Sequence, residues 1–368
     1  MFTETDIRLM QTALNLARQG RFSTSPNPRV GCVIAQGEQI VGQGFHIRAG
    51  GPHAEVHALN QAGALAQNAT AYVTLEPCSH HGRTPPCAEA LIRAKVKRVV
   101  AAMTDPNPLV AGQGLALLKN AGITVESGLL TQEAREINRG FLSRIERGRP
   151  FIRLKCAASL DGKTALSNGQ SQWITGEDAR ADVQILRAES CAILTGIGTV
   201  LADNPRLNVR AFPTLRQPTR IVLDSKLQTP ISHHLIQDGG SSTLIATLVK
   251  DTALHAPYLA YPHVSVVCLS EKNGRIDLPE LMHILAGKGI GEVLVEAGAQ
   301  LNAALLENNL VDEIILYQSA KILGQSNRGL FALPENPAAL NNPPAFHPVA
   351  ANLLKNDIKI ILLSKNLI

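Results

Sequence analysis

Apolar side chains recur at helical spacing between residues 6 and 19, where Ile7, Leu9, Met10, Ala13, Leu14, Leu16 and Ala17 form one stripe that stops at Gly20. A helix is predicted there. Val30 to Ala35 and Ile40 to Phe45 read as the two strands of a hairpin around Gln36-Gly37-Glu38. A second helix is expected to begin near Pro52, a residue suited to a first helical turn, and to run on through Leu59. Ala71 to Leu75 reads as a strand, and Cys87 to Ala94 as a helix starting just after Pro85-Pro86. Arg98 to Met103 and Ile123 to Glu126 follow as strands, with a helix over residues 113 to 121 between them. Strands alternating with helices predict a layered α/β domain.

The alternation breaks at Arg144-Ile145-Glu146-Arg147-Gly148-Arg149-Pro150, a short charged stretch punctuated by Gly and Pro. A boundary near 147 divides the 368 residues into domains of residues 1–147 and 148–368, in keeping with the size at which single cores stop growing. The second domain restarts with a strand from Phe151 to Ala157 and a helix at residues 177 to 189. Strands are predicted at 192 to 195, 219 to 223, 242 to 247, 264 to 269 and 291 to 296, with helices at 277 to 287 and 299 to 307. Ile314 to Leu323 and Ile358 to Leu363 read as late strands, and Pro334 to Pro348 as a loop rich in Pro and Asn.

Composition narrows the picture. One Trp, four Tyr and eight Phe leave the cores to Ala, Val, Leu and Ile, which suits α/β architecture. A formal net charge of +5 favours anionic ligands, but the 35 basic residues are scattered among 30 acidic ones. The basic stripe or interleaved aromatics expected of a nucleic-acid binder are missing. The N-terminal Met1-Phe2-Thr3-Glu4-Thr5-Asp6 carries acid and no apolar run, and no apolar segment of about 18 residues follows, so a soluble cytoplasmic protein is expected. Cys32, Cys156, Cys191 and Cys268 lie in or beside apolar runs and read as small buried thiols.

The remaining two cysteines carry chemistry. Pro77-Cys78-Ser79-His80-His81-Gly82-Arg83-Thr84-Pro85-Pro86-Cys87 lies beyond the strand ending at Leu75, and His53-Ala54-Glu55 opens a helix upstream. One imidazole and two thiolates, from His53, Cys78 and Cys87, supply three ligands of a tetrahedral zinc and leave the fourth position for water, whereas a structural zinc closes with a fourth protein ligand. Bound zinc lowers the pKa of its water toward about 7. Glu55 is placed to take a proton from that water and hand it to a leaving amine, a role worth roughly 10²- to 10⁴-fold in rate. The order His-x-Glu-x-His that includes His57 is not the metalloprotease motif, so His57 reads as support or packing.

His53-Ala54-Glu55 with Pro77-Cys78 and a second cysteine resembles the zinc-dependent cytidine-deaminase-like superfamily. The eight residues between Cys78 and Cys87, together with Ser25-Pro26-Asn27-Pro28 and Asp105-Pro106-Asn107-Pro108, resemble the riboflavin-biosynthesis deaminases. Downstream, Leu154-Lys155-Cys156-Ala157-Ala158-Ser159-Leu160-Asp161-Gly162-Lys163, Ser171-Gln172-Trp173-Ile174-Thr175, Thr195-Gly196-Ile197-Gly198-Thr199-Val200 with Asp203-Asn204-Pro205-Arg206-Leu207, and Val295-Glu296-Ala297-Gly298 resemble the reductase domain of the same bifunctional family. No G-x-G-x-x-G is present, so a standard Rossmann fingerprint is rejected.

The resemblance implies an N-terminal cytidine-deaminase-like α/β/α domain and a C-terminal α/β domain similar to dihydrofolate reductase. It implies one Zn²⁺ and NADPH as cofactors, and a phosphorylated aminopyrimidine as substrate. Deamination is then followed by reduction of the ribosyl group to ribityl. Asn27, His46, Arg83, Asp105 and Asn107 would surround the deaminase substrate, with Arg83 at its phosphate. Ala157, Trp173, Thr199, Asp203, Ser225, Gly298, Ala299, Gln300 and Leu301 would face NADPH. Ser171, Arg187, Leu207, Arg210 and Glu296 would face the reductase substrate, with Arg187 and Arg210 at its phosphate, while Lys155 and Asp161 orient the ribose or assist proton transfer. The expected partners are this small molecule and further copies of the chain, a dimer or tetramer, with no nucleic acid and no membrane. Two rival readings stay open: a deaminase whose second domain is not catalytic, and a zinc-stabilised nucleotide sensor.

Overall fold

A computed structural model describes residues 1–79, 85–108, 110–333 and 343–367 of the chain. It divides into two compact units, Met1–Arg149 and Pro150–Ile368.

In the first unit a five-stranded sheet runs in the order β2, β1, β3, β4, β5, with β1 at Gly31–Gln36, β2 at Gln39–Phe45, β3 at Thr70–Val73, β4 at Arg98–Ala101 and β5 at Thr124–Ser127. The β1–β2 and β1–β3 pairs are antiparallel, and β3, β4 and β5 are parallel. Successive strand residues point to opposite faces. In β1, Val33 and Ala35 therefore meet Leu9, Met10, Ala13, Leu14 and Ala17 of helix α1 (Glu4–Gln19). Cys32 and Ile34 meet Ala54, Ala58 and Ala62 of α2 (Ala54–Ala62) on the other face. Helices α3 (Cys87–Arg93) and α4 (Gln113–Asn120) complete that second layer through Leu91 and Leu118. Gly42 permits the close seat of α2, since a Cβ there would lie 2.2 Å from the Ala58 carbonyl oxygen.

Buried Asp6 ties the layers together. It forms a capping box with Thr3, accepts from Tyr72 at 2.7 Å and pairs with Arg98 at 2.6 Å, so that Arg98 holds its carboxyl far below the usual range against the opposing effect of burial. Two helices that the apolar pattern did not announce, α5 (Thr131–Ile137) and α6 (Arg139–Arg147), end the unit. The charged stretch at 144–150 is thus largely helix. Gly148 stops α6 at φ 64°, and the division of the chain falls after Arg149, two residues beyond the position read from the sequence.

The second unit is built on a nine-stranded sheet in the order β11, β10, β9, β8, β14, β6, β15, β18, β17. Its strands are β6 (Phe151–Ala158), β8 (Ala192–Gly196), β9 (Thr219–Leu223), β10 (Thr243–Thr247), β11 (Val264–Cys268), β14 (Glu292–Val295), β15 (Glu313–Ser319), β17 (Phe346–Leu354) and β18 (Asp357–Ser364). Short ribbons pair β7 (Lys163–Ala165) with β16 (Arg328–Gly329), and β12 (Glu271–Lys272) with β13 (Arg275–Ile276). The seven strands from β11 to β15 are parallel, and β18 and β17 add antiparallel. Crossovers are made by α7 (Glu177–Glu189), α8 (Ile197–Asp203), α9 (His234–Gln237), α10 (Ala256–Leu259), α11 (Leu278–Gly287) and α12 (Ala299–Glu307).

Central strands such as β14 are buried at every residue, as a parallel sheet covered on both faces requires. The loop read at 334–348 is cut short because Phe346, His347 and Pro348 begin β17, an edge strand whose register shifts between Pro348 and Ala350. Residues 334–342 of that loop lie outside the described residues. None of the six cysteines forms a disulfide; Cys32 and Cys156 are buried as expected, Cys191 is half-buried, and Cys268 is exposed because it ends β11 at the edge of the sheet.

Candidate active sites

Three ligand-type atoms converge in the first unit. His53 Nδ1, Cys78 Sγ and Cys87 Sγ lie within 4.8 Å of one another, His53 Nδ1 being 3.6 Å from the first sulfur and 3.3 Å from the second. Chain geometry explains the meeting. His53 sits in extended conformation as the N-cap of α2, so the helix starts at Ala54 and not near Pro52 as the sequence suggested. Pro52 stays outside because its carbonyl accepts from His46 Nδ1 at 3.0 Å. Cys87 is the first residue of α3, and its N–H donates to the Cys78 sulfur at 3.3 Å. The hydrogen bond from Cys87 holds the Cys78 thiol well below its ordinary range, with burial opposing and His53 adding to the effect.

Glu55, in the first turn of α2, is 3% exposed, and burial pushes its carboxyl up to about 7. This is a carboxylate that holds and releases a proton near neutral pH. Beside it, buried His46 stands edge-on to His53 with ring centroids 5.4 Å apart. Burial lowers its pKa, which favours the neutral ring, against the opposing bond to Pro52. Because Nδ1 donates to Pro52, Nε2 accepts from Asn27 Nδ2 at 3.1 Å. The buried Nε2 of His57 has no hydrogen-bond partner among the described residues.

Asp105 and Asn107 lie in a turn closed by the bond from Asn107 N–H to Asp105 Oδ1 at 2.8 Å. A residue not singled out in the sequence holds that turn. Buried Glu76, two positions before Cys78, accepts from the N–H groups of Asp105 (3.0 Å), Gly112 (2.9 Å), Gly114 (2.8 Å) and Leu115 (3.3 Å). It caps α4 from a distance, where the N-cap residue Gly112 has no side chain to do so. Arg83 lies outside the described residues, as do His80 and His81.

In the second unit the candidate residues gather along the carboxyl ends of parallel strands, the edge at which open α/β sheets bind ligands. Val295 of β14 pairs with Leu154, so Lys155 to Ala158 of β6 run past the end of β14. Ala157 lies there, Thr199 and Asp203 are on α8 after β8, and Ser225 is two residues past β9. Gly298 is the N-cap of α12, with Ala299, Gln300 and Leu301 in its first turn.

Glu296 sits at the centre of a cationic group. Arg187 grips it twice, Nε to Oε1 at 2.6 Å and Nη2 to Oε2 at 2.9 Å, while Nη1 donates to the Asn208 carbonyl at 3.1 Å. Burial would raise the Glu296 carboxyl, but Arg187, with Lys155 and Arg210, outweighs it and holds the pKa below the usual value. Arg210 is itself shifted down by burial, then by its neighbours Arg187 and Arg206, although Glu296 opposes them. Leu207 lies between these arginines in the chain and is buried in the left-handed region at φ 45°, an uncommon conformation for leucine.

Asp161 is engaged on both oxygens. It accepts from Ser159 Oγ at 2.5 Å, Leu323 N–H at 3.1 Å and Gly324 N–H at 2.7 Å, and the Ser159 bond leads the effects that pull its carboxyl down to about 2. It clamps two loops together. Ser171 and Trp173 lie on the segment between β7 and α7, with the indole 60% exposed.

Comparison with known proteins resolves what both sites belong to. The family description "RibD C-terminal domain" matches residues 150–359, and "Cytidine and deoxycytidylate deaminase zinc-binding region" matches residues 3–103. The chain is 52% identical over 338 residues to the riboflavin biosynthesis protein RibD of Escherichia coli (strain K12), covering 88% of this chain and 90% of the relative. The chain belongs to the RibD family.

The RibD relative from Bacillus amyloliquefaciens is 43% identical over 357 residues, covering 97% of this chain and 96% of its own. The solved structure of Acinetobacter baumannii RibD, form 1, superposes with a TM-score of 0.91 at 44% identity, covering 98% of this chain and 99% of that one. A diaminohydroxyphosphoribosylaminopyrimidine deaminase/5-amino-6-(5-phosphoribosylamino)uracil reductase from Thermotoga maritima superposes with a TM-score of 0.86 at 32% identity, with the same coverage.

As a member of this family, the chain is a bifunctional enzyme of riboflavin biosynthesis, a deaminase of cytidine-deaminase-like fold followed by a reductase of dihydrofolate-reductase-like fold. Its cofactors are Zn²⁺ and NADPH, and the donors present suit both. Two sulfurs and one imidazole nitrogen within 4.8 Å form the soft donor set of a three-ligand zinc site. The N-terminus of α12 carries no side-chain cap, and a Cβ built on Gly298 meets nothing within 4 Å. First-turn amides without a side-chain cap among the described residues, at the positive end of a helix, suit a dinucleotide phosphate.

Two residues beside the candidate sites, Glu76 and Arg206, are not singled out by the sequence pattern. A glutamate directly before the Pro77-Cys78 pair and an arginine inside Asp203-Asn204-Pro205-Arg206-Leu207 were visible as neighbours of the motifs, but nothing in the spacing states what they touch.

Proposed function

We propose that the first unit deaminates 2,5-diamino-6-(5-phosphoribosylamino)pyrimidin-4(3H)-one. We propose further that the second unit reduces the deaminated product to 5-amino-6-(5-phosphoribitylamino)uracil. The observation that carries this reading is the buried carboxyl of Glu55, with its pKa near neutrality, beside the His53, Cys78 and Cys87 cluster. A zinc that only held the fold together would need no such group.

When bound, zinc supplies the Lewis acidity that makes water a nucleophile at neutral pH. Glu55 accepts the proton that this water gives up and returns it to the departing amine. His46 is fixed as an acceptor at Nε2, which turns the Asn27 amide so that one N–H is spent on the ring and its carbonyl oxygen is left for the pyrimidine. Glu76 holds the turn bearing Asp105 and Asn107. Arg83 is assigned to the ribotide phosphate by its chemistry.

In the second unit NADPH supplies the hydride. The uncapped turn from Gly298 to Leu301 receives its phosphates, with Ala157, Trp173, Thr199, Asp203 and Ser225 along the same strand edge. Arg187 has its fork occupied by Glu296 and acts by holding that carboxylate toward the sugar. Exposed Arg210, with Arg206 beside it, is then the better candidate for the substrate phosphate. Lys155 and Ser171 face the ribose, Leu207 lines the site through its backbone, and Asp161 contributes by clamping the surrounding loops.

We also propose a homo-oligomer in the cytoplasm. Among the described residues no helix is long and apolar enough to cross a membrane. The edge strand β17 leaves Leu353 78% and Val349 48% exposed, an apolar open edge suited to a second copy. Purified protein given the diamino ribotide is expected to release ammonia and then to oxidise NADPH. Ammonia without NADPH oxidation overturns the bifunctional assignment, and a monomer mass by light scattering overturns the assembly.

A further inference from the structure

Among the described residues, one exposed aromatic side chain in the second unit is braced from two sides. Trp173 is 60% exposed, yet the Arg180 guanidinium lies over its ring, 4.5 Å from the centroid. Arg180 is itself anchored, since Nη1 donates to the Thr175 carbonyl at 2.9 Å and Nη2 lies 3.8 Å from the solvent-exposed Glu177 carboxylate, too loose and too screened a pair to cancel its charge. On the backbone side, Lys321 Nζ donates to the Trp173 carbonyl at 2.7 Å. The Gly176 N–H donates to buried Asp357 at 2.6 Å, which pins the far end of the same segment. An exposed indole gains little from burial, so two cations and a buried carboxylate are committed here to holding an orientation.

The sheet order says which part of the cofactor this indole meets. Ser225 follows β9 and the phosphate-binding turn follows β14, while Lys321 follows β15, so Ser225 and Trp173 lie on opposite sides of the phosphates. Lys155, proposed above to face the ribose, is on β6, between β14 and β15. The nicotinamide must approach that sugar, which puts it at the Trp173 end and the adenosine at the Ser225 end.

We propose that Arg180 is a positioning residue for the reductase, holding one face of Trp173 so that the other is presented to the nicotinamide end of NADPH, and biasing that face against the oxidised cofactor. The proposal rests on the reading that Trp173 faces NADPH. The bias follows from charge. Reduced nicotinamide is neutral and oxidised nicotinamide is a cation, and a ring already covered by guanidinium on one face attracts a second cation less on the other. Release of NADP⁺ is favoured as a result.

Trp173 is the only tryptophan, so intrinsic fluorescence reports on it alone. In the full-length zinc-loaded protein, Arg180→Ala is expected to shift the emission and to weaken NADPH binding severalfold by titration. It should also lower the ratio of the NADP⁺ to the NADPH dissociation constant about 3-fold, the size of an exposed cation–π contact. Arg180→Lys keeps the charge but loses the planar stack and should fall between the two, with ammonia release unchanged in both. Trp173→Leu, followed by the fluorescence of NADPH itself, separates two failures. If it binds NADPH like the wild type, the reading of Trp173 is wrong. If it binds weakly while Arg180→Ala keeps both the wild-type affinity and the wild-type ratio, that reading stands and the role of Arg180 is overturned.

Discussion

Glu55→Gln is expected to lower deamination by roughly 10²- to 10⁴-fold, the range for losing a general acid–base group, while zinc content and NADPH-dependent reduction stay at wild-type levels. Gln has the shape of Glu but cannot accept the proton of the attacking water, and the ligand atoms of His53, Cys78 and Cys87 are untouched. Stability separates this from simple damage. Burial raises the Glu55 carboxyl to about 7, so the folded state is destabilised as pH climbs from the ordinary carboxylate value through 7 and the group ionises. Neutral Gln carries no such cost. The metal-free variant should therefore melt no lower than the metal-free wild type at pH 8, and normal ammonia release by zinc-loaded Glu55→Gln would falsify the mechanism.

Arg187→Ala should have the largest effect on the second unit. It removes the fork of bonds at 2.6 and 2.9 Å from Glu296 and leaves only Lys155 and Arg210 as counter-charges; breaking a buried pair from one side typically costs about 3–5 kcal/mol, which is the upper bound here. Reduction should be lost. Urea unfolding followed through Trp173, which lies in this unit, reads the stability loss directly. Replacing both partners, Arg187→Met with Glu296→Leu, removes both charges of the pair and should restore most of the stability without restoring reduction. A double variant that reduces substrate normally would remove both residues from the site.

Much of the framework was legible along the chain, and the reason is local. The stripe from Ile7 to Ala17 became α1, and the short apolar run Cys32-Val33-Ile34-Ala35 became a strand buried on both faces, because helical and pleated periods are set by backbone geometry. The elements that escaped notice have the opposite character. Helix α8 begins at Gly196-Ile197-Gly198, where glycines read as a turn, and α6 hides beneath a charged surface. Strand β17 starts in a proline-bearing stretch and is tolerated because it lies on the edge of the sheet. Pro52 suits a first helical turn, but its carbonyl is spent on His46 and the helix opens two residues later.

The sites divide along the same line. His53, Glu55, Cys78 and Cys87 could be named from the sequence because each motif carries its own chemistry and because few donor sets suit zinc. The sequence by itself also determined the order of the two units and supplied candidate residues for each ligand. Only the tertiary structure decided which of those residues remain available. Arg187 meets Glu296 across 109 positions, Asp161 is taken up by the backbone at 323 and 324, and Glu76 reaches forward to cap a helix that starts at Gln113. Spacing along a strand or helix fixes neighbours a few residues apart. Partners a hundred residues away are chosen by the strand order and crossovers that bring the carboxyl ends of β9, β8, β14, β6 and β15 to one edge.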